Sequence, residues 1–167
     1  MARLDATRIQ AWRGMQALSG QIERAIDEEL RDDWDISLGW FDVLASLQRL
    51  GGRARPLDVA ADLRLPPSSV SRRLDRLEEE GWIARHREVD PDDKRAVDIE
   101  LTPRGRKLWR EMNVSYRRAV QQWFAVHLGN DEVAAVQRVL DLLMASVDEL
   151  EDDDPREQQV EVIVRKR

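Results

Sequence analysis

The spacing of apolar residues predicts a mainly α chain with one short two-stranded hairpin set among its helices. Three observations carry this. Apolar residues recur every three or four positions from Ile9 to Leu50 and again from Trp109 to Leu150. Pro56 and Pro66-Pro67 open two short helical stretches, and Gly81 closes the second where a left-handed cap is wanted. After Trp82 the period drops to two: Val97, Ile99 and Leu101 alternate with Asp98 and Glu100. Helix, short turn, helix and hairpin in that order make a winged helix-turn-helix. The expected fold is therefore a mainly α winged helix-turn-helix with a two-stranded wing, flanked by N- and C-terminal dimerisation helices.

In chain order, residues 1–30 read as one long helix through Ile9, Trp12, Met15, Ile22, Ile26 and Leu30, weakened at Gly14 and Gly20. Asp32-Asp33-Trp34-Asp35 breaks the pattern and reads as a loop. Ser37 is a good N-cap for a second helix to Leu50, with Trp40, Phe41, Leu44, Leu47 and Leu50 inward. Gly51-Gly52 ends it. Pro56 starts a short third helix on Leu57, Val59, Ala60 and Leu63, and Arg64-Leu65-Pro66 turns the chain into the fourth. That helix buries Val70, Leu74 and Leu77 at i, i+4, i+7. Ile83–Val89 and Val97–Leu101 form the hairpin strands around the charged turn Asp90-Pro91-Asp92-Asp93-Lys94-Arg95. Thr102 caps and Pro103 opens a fifth helix that carries Trp109, Met112, Tyr116 and Trp123, with Gly129 as its stop. Asn130 or Asp131 caps a sixth. There Val133, Val136, Leu140, Leu143, Val147 and Leu150 recur at alternating spacings of 3 and 4, an a/d seam that wants a partner helix. The organisation expected is residues 1–34 as an N-terminal dimerisation helix, 35–102 as the winged core, 103–151 as C-terminal dimerisation helices and 152–167 as a charged tail.

Composition excludes several classes of function. No apolar run reaches the ~18 residues of a membrane span, and MARLDATRIQ lacks the core of a secretory signal. The cytoplasm is the expected compartment. The chain has no cysteine, which removes disulfides, thiolate metal sites and thiol redox sensing. His86 and His127 fall on different elements, so no metal site is expected. Ser68, Ser69 and Ser71 have no histidine base at a suggestive position, and no glycine-rich phosphate loop follows a strand. Neither an enzyme nor a cofactor is expected.

Charge points to a polyanion. The net charge is −6, yet residues 49–110 hold 15 Lys and Arg against 12 Asp and Glu, a net of +3, while the remainder carries −9. The fourth helix presents Ser68, Ser69, Ser71, Arg72, Arg73 and Arg76 opposite its apolar stripe, a donor-rich face suited to phosphates and base edges. Such a helix fits a DNA major groove, and Lys94 and Arg95 at the hairpin tip fit the neighbouring minor groove. Asp93 stands two residues before Arg95 and can hold its guanidinium in place. A local charge of only +3 suggests that two subunits are needed for useful affinity. The acidic total also fits another class, a winged-helix adaptor that holds proteins and not DNA; the arginines on helix and hairpin favour DNA.

The runs Ser68-Ser69-Val70-Ser71-Arg72-Arg73-Leu74-Asp75-Arg76-Leu77, Gly81-Trp82-Ile83-Ala84-Arg85, Asp90-Pro91-Asp92-Asp93-Lys94-Arg95 and Leu101-Thr102-Pro103-Arg104-Gly105 resemble the MarR family of bacterial transcription regulators. The likeness covers about Ile9 to Leu150, and the hairpin run is its specific part. It implies a homodimer on a pseudo-palindromic operator, with the two chain ends interleaving between subunits, and a repressor released by a small ligand. In this family small aromatic or phenolic acids often bind between the dimerisation helices and the winged core. Trp12, Trp40 and Trp109 could line such an effector pocket, with Arg13 or Arg49 meeting the anion; packing in the core or dimer is the plainer role for these tryptophans. Asp42 could instead pair with a wing arginine, Arg85 or Arg87, as in urate-responsive relatives, although Trp12 does not sit at their spacing.

Overall fold

The computed structural model describes residues 4–87 and 97–152. In order the elements are α1 (Ala6–Trp34), α2 (Leu38–Arg49), β1 (Arg53–Ala54), α3 (Pro56–Leu63), α4 (Pro67–Glu79), β2 (Ile83–Arg87), β3 (Val97–Leu101), α5 (Pro103–Trp123), a 3₁₀ turn (Ala125–His127) and α6 (Asn130–Asp152). They form two compact units, the first running through Trp123 and the second starting at Phe124. The mainly α winged helix-turn-helix expected from the sequence is what the first unit contains.

The core of the first unit lies where α2, α3 and α4 meet the sheet. Leu44, Leu47, Val59, Val70, Leu77, Ile99 and Leu101 are all fully buried there. Each such side chain stabilises the fold by roughly 1.5–3 kcal/mol relative to exposure. Met112 of α5 and Leu30 of α1 extend the core, and Phe41 stacks on Tyr116 with ring centroids 4.7 Å apart. β2 and β3 are the expected antiparallel pair, with Ile83 opposite Leu101 and Arg85 opposite Ile99. The sheet has a third strand that the sequence reading missed. Arg53-Ala54 pairs with Glu100-Ile99, giving the order β1-β3-β2. Two residues are too few to show a period.

Two boundaries differ from expectation. α1 does not stop near Leu30 but continues through Asp32-Asp33-Trp34 to a left-handed Asp35 (φ 56°). Long-range contacts hold that last turn. Ser115 Oγ of α5 donates to Asp33 Oδ2 at 2.7 Å and accepts from Trp34 Nε1 at 3.0 Å, and Arg118 pairs with Asp33 at 2.8 Å. The acidic residues that suggested a loop are partners of α5. At the other end α5 stops at Trp123, not at Gly129, and a 3₁₀ turn follows. Trp123 Nε1 donates to Glu29 Oε1 at 2.6 Å, which ties the end of α5 to α1.

The start of α5 is fixed against the end of α4 by a small latch. Gly81 takes the left-handed conformation (φ 71°) that closes α4. Thr102 Oγ1 donates to Gly81 O at 2.9 Å and accepts from Gly105 N at 3.0 Å, the N-cap expected of it. A Cβ on Gly105 would stand 1.9 Å from Trp82 O, so no side chain fits there.

α6 belongs to the second unit. Val133, Leu140, Leu143 and Val147 of the predicted seam are each more than two-fifths exposed, and Val136 is half-buried. The backbone of Leu150 lies within the helix; its side chain falls outside the described residues.

Candidate nucleic-acid interface

α4 is held by its apolar stripe, and the residues left outside that stripe form the candidate surface. Ser68, Ser71, Arg72 and Arg76 are exposed on it, and Ser69 is half-buried at its edge. Arg72 Nε reaches back to Ser68 O at 3.4 Å and has no carboxylate partner among the described residues. Arg76 pairs with Glu79 at 2.8 Å and lies over the Trp40 ring, 5.9 Å from its centroid. Trp40 in turn meets Trp82 edge-on at 6.0 Å, so the base of this face is aromatic.

Arg73 is not on that face, contrary to the sequence expectation. It stands three residues after Val70 and four before Leu77, which places it on the flank of the buried stripe. Its Nη1 donates to Gly39 O of α2 at 3.2 Å. The position was legible from spacing alone, but three arginines in five residues suggested one surface. The remaining expected contacts, Lys94 and Arg95 with their support Asp93, lie outside the described residues. His86 is exposed on β2, with Nε2 3.0 Å from Glu100 Oε2.

Arg73 also lines a cavity of about 680 Å³ between α1, α2 and the helix-turn-helix, with Asp42, Tyr116, Arg24, Leu38 and Leu63. None of Trp12, Trp40 or Trp109 lines it. Trp12 is 55% exposed, Trp40 packs on Trp82, and Trp109 lies beside the core. The aromatic ring in the cavity is Tyr116. The cations are Arg24 and Arg73, not Arg13 or Arg49; Arg49 pairs with Asp62 at 2.6 Å. Asp42 does not pair with Arg85, which is held by Asp75 and Glu78. The side chain of Arg87 is outside the described residues.

Burial pushes the Asp42 carboxyl up to about 6, and Arg73 and Arg49 only partly oppose it. Its ordinary value is 3.8, so between 3.8 and about 6 the folded chain binds more protons than the unfolded one. Stability therefore falls as pH rises through that window, and the loss is complete above it. Asp42→Asn is expected to melt like the parent protein near pH 4 and to be more stable at pH 8, by on the order of 2 kcal/mol. Thermal unfolding at the two pH values checks this. Equal pH profiles for the two proteins would contradict it.

The described residues contain no cluster of three or more His, Cys, Asp or Glu able to hold a metal. The chemistry on offer is recognition: hydroxyls and guanidinium groups on an exposed helix face beside a hairpin.

Comparison with known proteins agrees. Residues 34–96 match the model of the MarR family. The multiple antibiotic resistance protein MarR of Salmonella typhimurium is 33% identical over 106 residues, 64% of this chain and 72% of that protein. A mutant MarR from E. coli, solved in complex with operator DNA, is similar with a TM-score of 0.72 and 26% identity, over 85% of this chain and 99% of that one. The fold is shared with BpsR of Bordetella bronchiseptica, whose DNA binding is regulated by 6-hydroxynicotinic acid, at a TM-score of 0.71 and 24% identity, over 81% of this chain and 98% of that one. This chain belongs to the MarR family of transcriptional regulators.

Proposed function

We propose that the protein represses transcription as a homodimer on a pseudo-palindromic operator. The observation that carries this is the exposed α4 face of Ser68, Ser71, Arg72 and Arg76 beside the β2–β3 hairpin. Ser69 reads at the edge of this face, and Lys94 and Arg95, braced by Asp93, enter the minor groove. Residues 35–102 are the DNA-binding part. Residues 1–34 and 103–151 hold the dimer, and 152–167 form a charged tail. The relative solved on operator DNA supports this reading. No helix among the described residues is long and apolar enough to cross a membrane, and the DNA to be bound puts the work in the cytoplasm.

The dimer reading rests on exposed apolar surface. α6 shows Val139, Leu142 and Met144 in addition to its seam, and α1 shows Ile9, Trp12 and Leu18. Surface of that extent on a single chain marks an interface.

The cavity beside Arg73 suits a small aromatic effector. Tyr116, Leu38 and Leu63 supply apolar walls, Arg73 and Arg24 supply cations, and Glu23, Asp27 and Asp42 stand beside them as carboxylates. An acidic ligand there would draw on the same arginine that ties α4 to Gly39 O, and so shift α4. The effector of the BpsR regulator, a small aromatic acid by name, is of this class.

Selecting operator sites from random duplex DNA, then footprinting the protein on the winners, tests the proposal. Two protected half-sites with centres ~10 base pairs apart are expected.

A further inference from the structure

Arg85 occupies a position where an apolar residue belongs. On β2 it lies two residues from buried Ile83 and opposite buried Ile99, on the strand face that turns inward. Its guanidinium leaves that layer to meet α4. Nη1 is 2.6 Å from Glu78 Oε2 and Nη2 is 2.5 Å from Asp75 Oδ1. One fork thus holds two carboxylates of the helix that carries the exposed arginines.

The charge of α4 explains the need. Its thirteen residues contain Arg72, Arg73 and Arg76 against Asp75, Glu78 and Glu79, so the helix is formally neutral. Arg73 is turned toward α2 and Arg76 is paired with Glu79. That leaves Arg72 as the exposed cation of the helix with no carboxylate partner among the described residues, on the same helix as the acids Asp75 and Glu78. Unscreened, both would stand against a phosphate backbone.

We infer that Arg85 is a positioning residue for DNA binding: it screens Asp75 and Glu78 and pins the wing strand to the recognition helix, without touching DNA itself. This rests on the reading that α4 faces DNA. It differs from a phosphate contact in what rescues its loss. Without Arg85, neutralising the two acids restores binding; a lost phosphate contact is not restored that way.

The experiment is fluorescence anisotropy of the full chain on a selected duplex, across a salt titration. Four proteins are compared: the parent, R85Q, D75N/E78Q and the triple variant. R85Q is expected to bind about tenfold more weakly. The triple variant should return to within about threefold of the parent, with a salt slope within about 0.5 of the parent's. A triple variant as weak as R85Q, or a slope in R85Q shallower by about 1 as for a lost phosphate contact, would overturn the inference. If R85Q is unfolded at the assay temperature, R85K takes its place. It keeps the charge but loses the fork, so a loss smaller than about tenfold is expected. A tenfold or greater loss in folded R85K would refute screening by charge. No binding by the parent protein to any duplex would instead sink the reading of α4 as a DNA-facing helix.

Discussion

Leu140→Asp combined with Leu143→Asp is expected to make the protein a monomer. Both leucines lie on the α6 seam and are 43% and 44% exposed in the single chain. In a paired seam each would become a knob in the facing helix. A carboxylate at either position would have to lose its water without gaining a partner, which costs several kcal/mol per charge. Two per chain across a two-fold axis make four. Sedimentation should show the change from dimer to monomer, with helix content nearly kept, because these side chains pack little within their own chain. DNA affinity should fall by a factor on the order of 10²–10⁴, since one head alone has no linked second site. A dimer that survives both substitutions would place the interface elsewhere.

Gly105→Ala is expected to destabilise the first unit by about 3 kcal/mol or more. The added Cβ would stand 1.9 Å from Trp82 O and 2.9 Å from Trp82 C, and both are backbone atoms. No rotamer change relieves that contact. Either α5 lifts from the end of α4 or Trp82 shifts. A shift of Trp82 disturbs Trp40, and through it the seat of Arg76. Lifting α5 breaks the Thr102 bond to Gly81 O. The melting temperature should drop by about 10 °C. A change of less than about 2 °C would mean that the approach of these two segments is not needed for stability.

Much of this architecture was legible because its signals are local. Pro56, Pro67, Gly81 and Thr102 punctuate the helices where the structure places their ends. Val70, Leu74 and Leu77 fix which face of α4 is buried. Elements decided at long range were less legible. β1 is two residues long and exists because β3 offers it an edge. The last turn of α1 looks like an acidic loop until Ser115 and Arg118 are brought beside Asp33. The same limit applies to the site. Arg72 and Arg76 could be assigned to the exposed face from the helical period, and a stricter use of it would have turned Arg73 inward. The cavity beside Arg73 could not be read in advance. Its lining comes from α1, α2, α3, α4, α5 and the turn before α4, residues that no spacing connects. The tryptophans suggested an aromatic wall by number, whereas the ring that lines the cavity is the single tyrosine, Tyr116.

In the proposed complex two copies of α4 enter successive major grooves of one duplex. Hydroxyl-radical footprinting on DNA selected from a random pool tests it most directly. The expected record is a two-fold symmetric set of protections with half-site centres ~10 base pairs apart, flanked by minor-groove protection from the wing tips. It should weaken when Arg72 is replaced by alanine. A selection that enriches no sequence, or a single asymmetric footprint unaffected by Arg72→Ala, would contradict it.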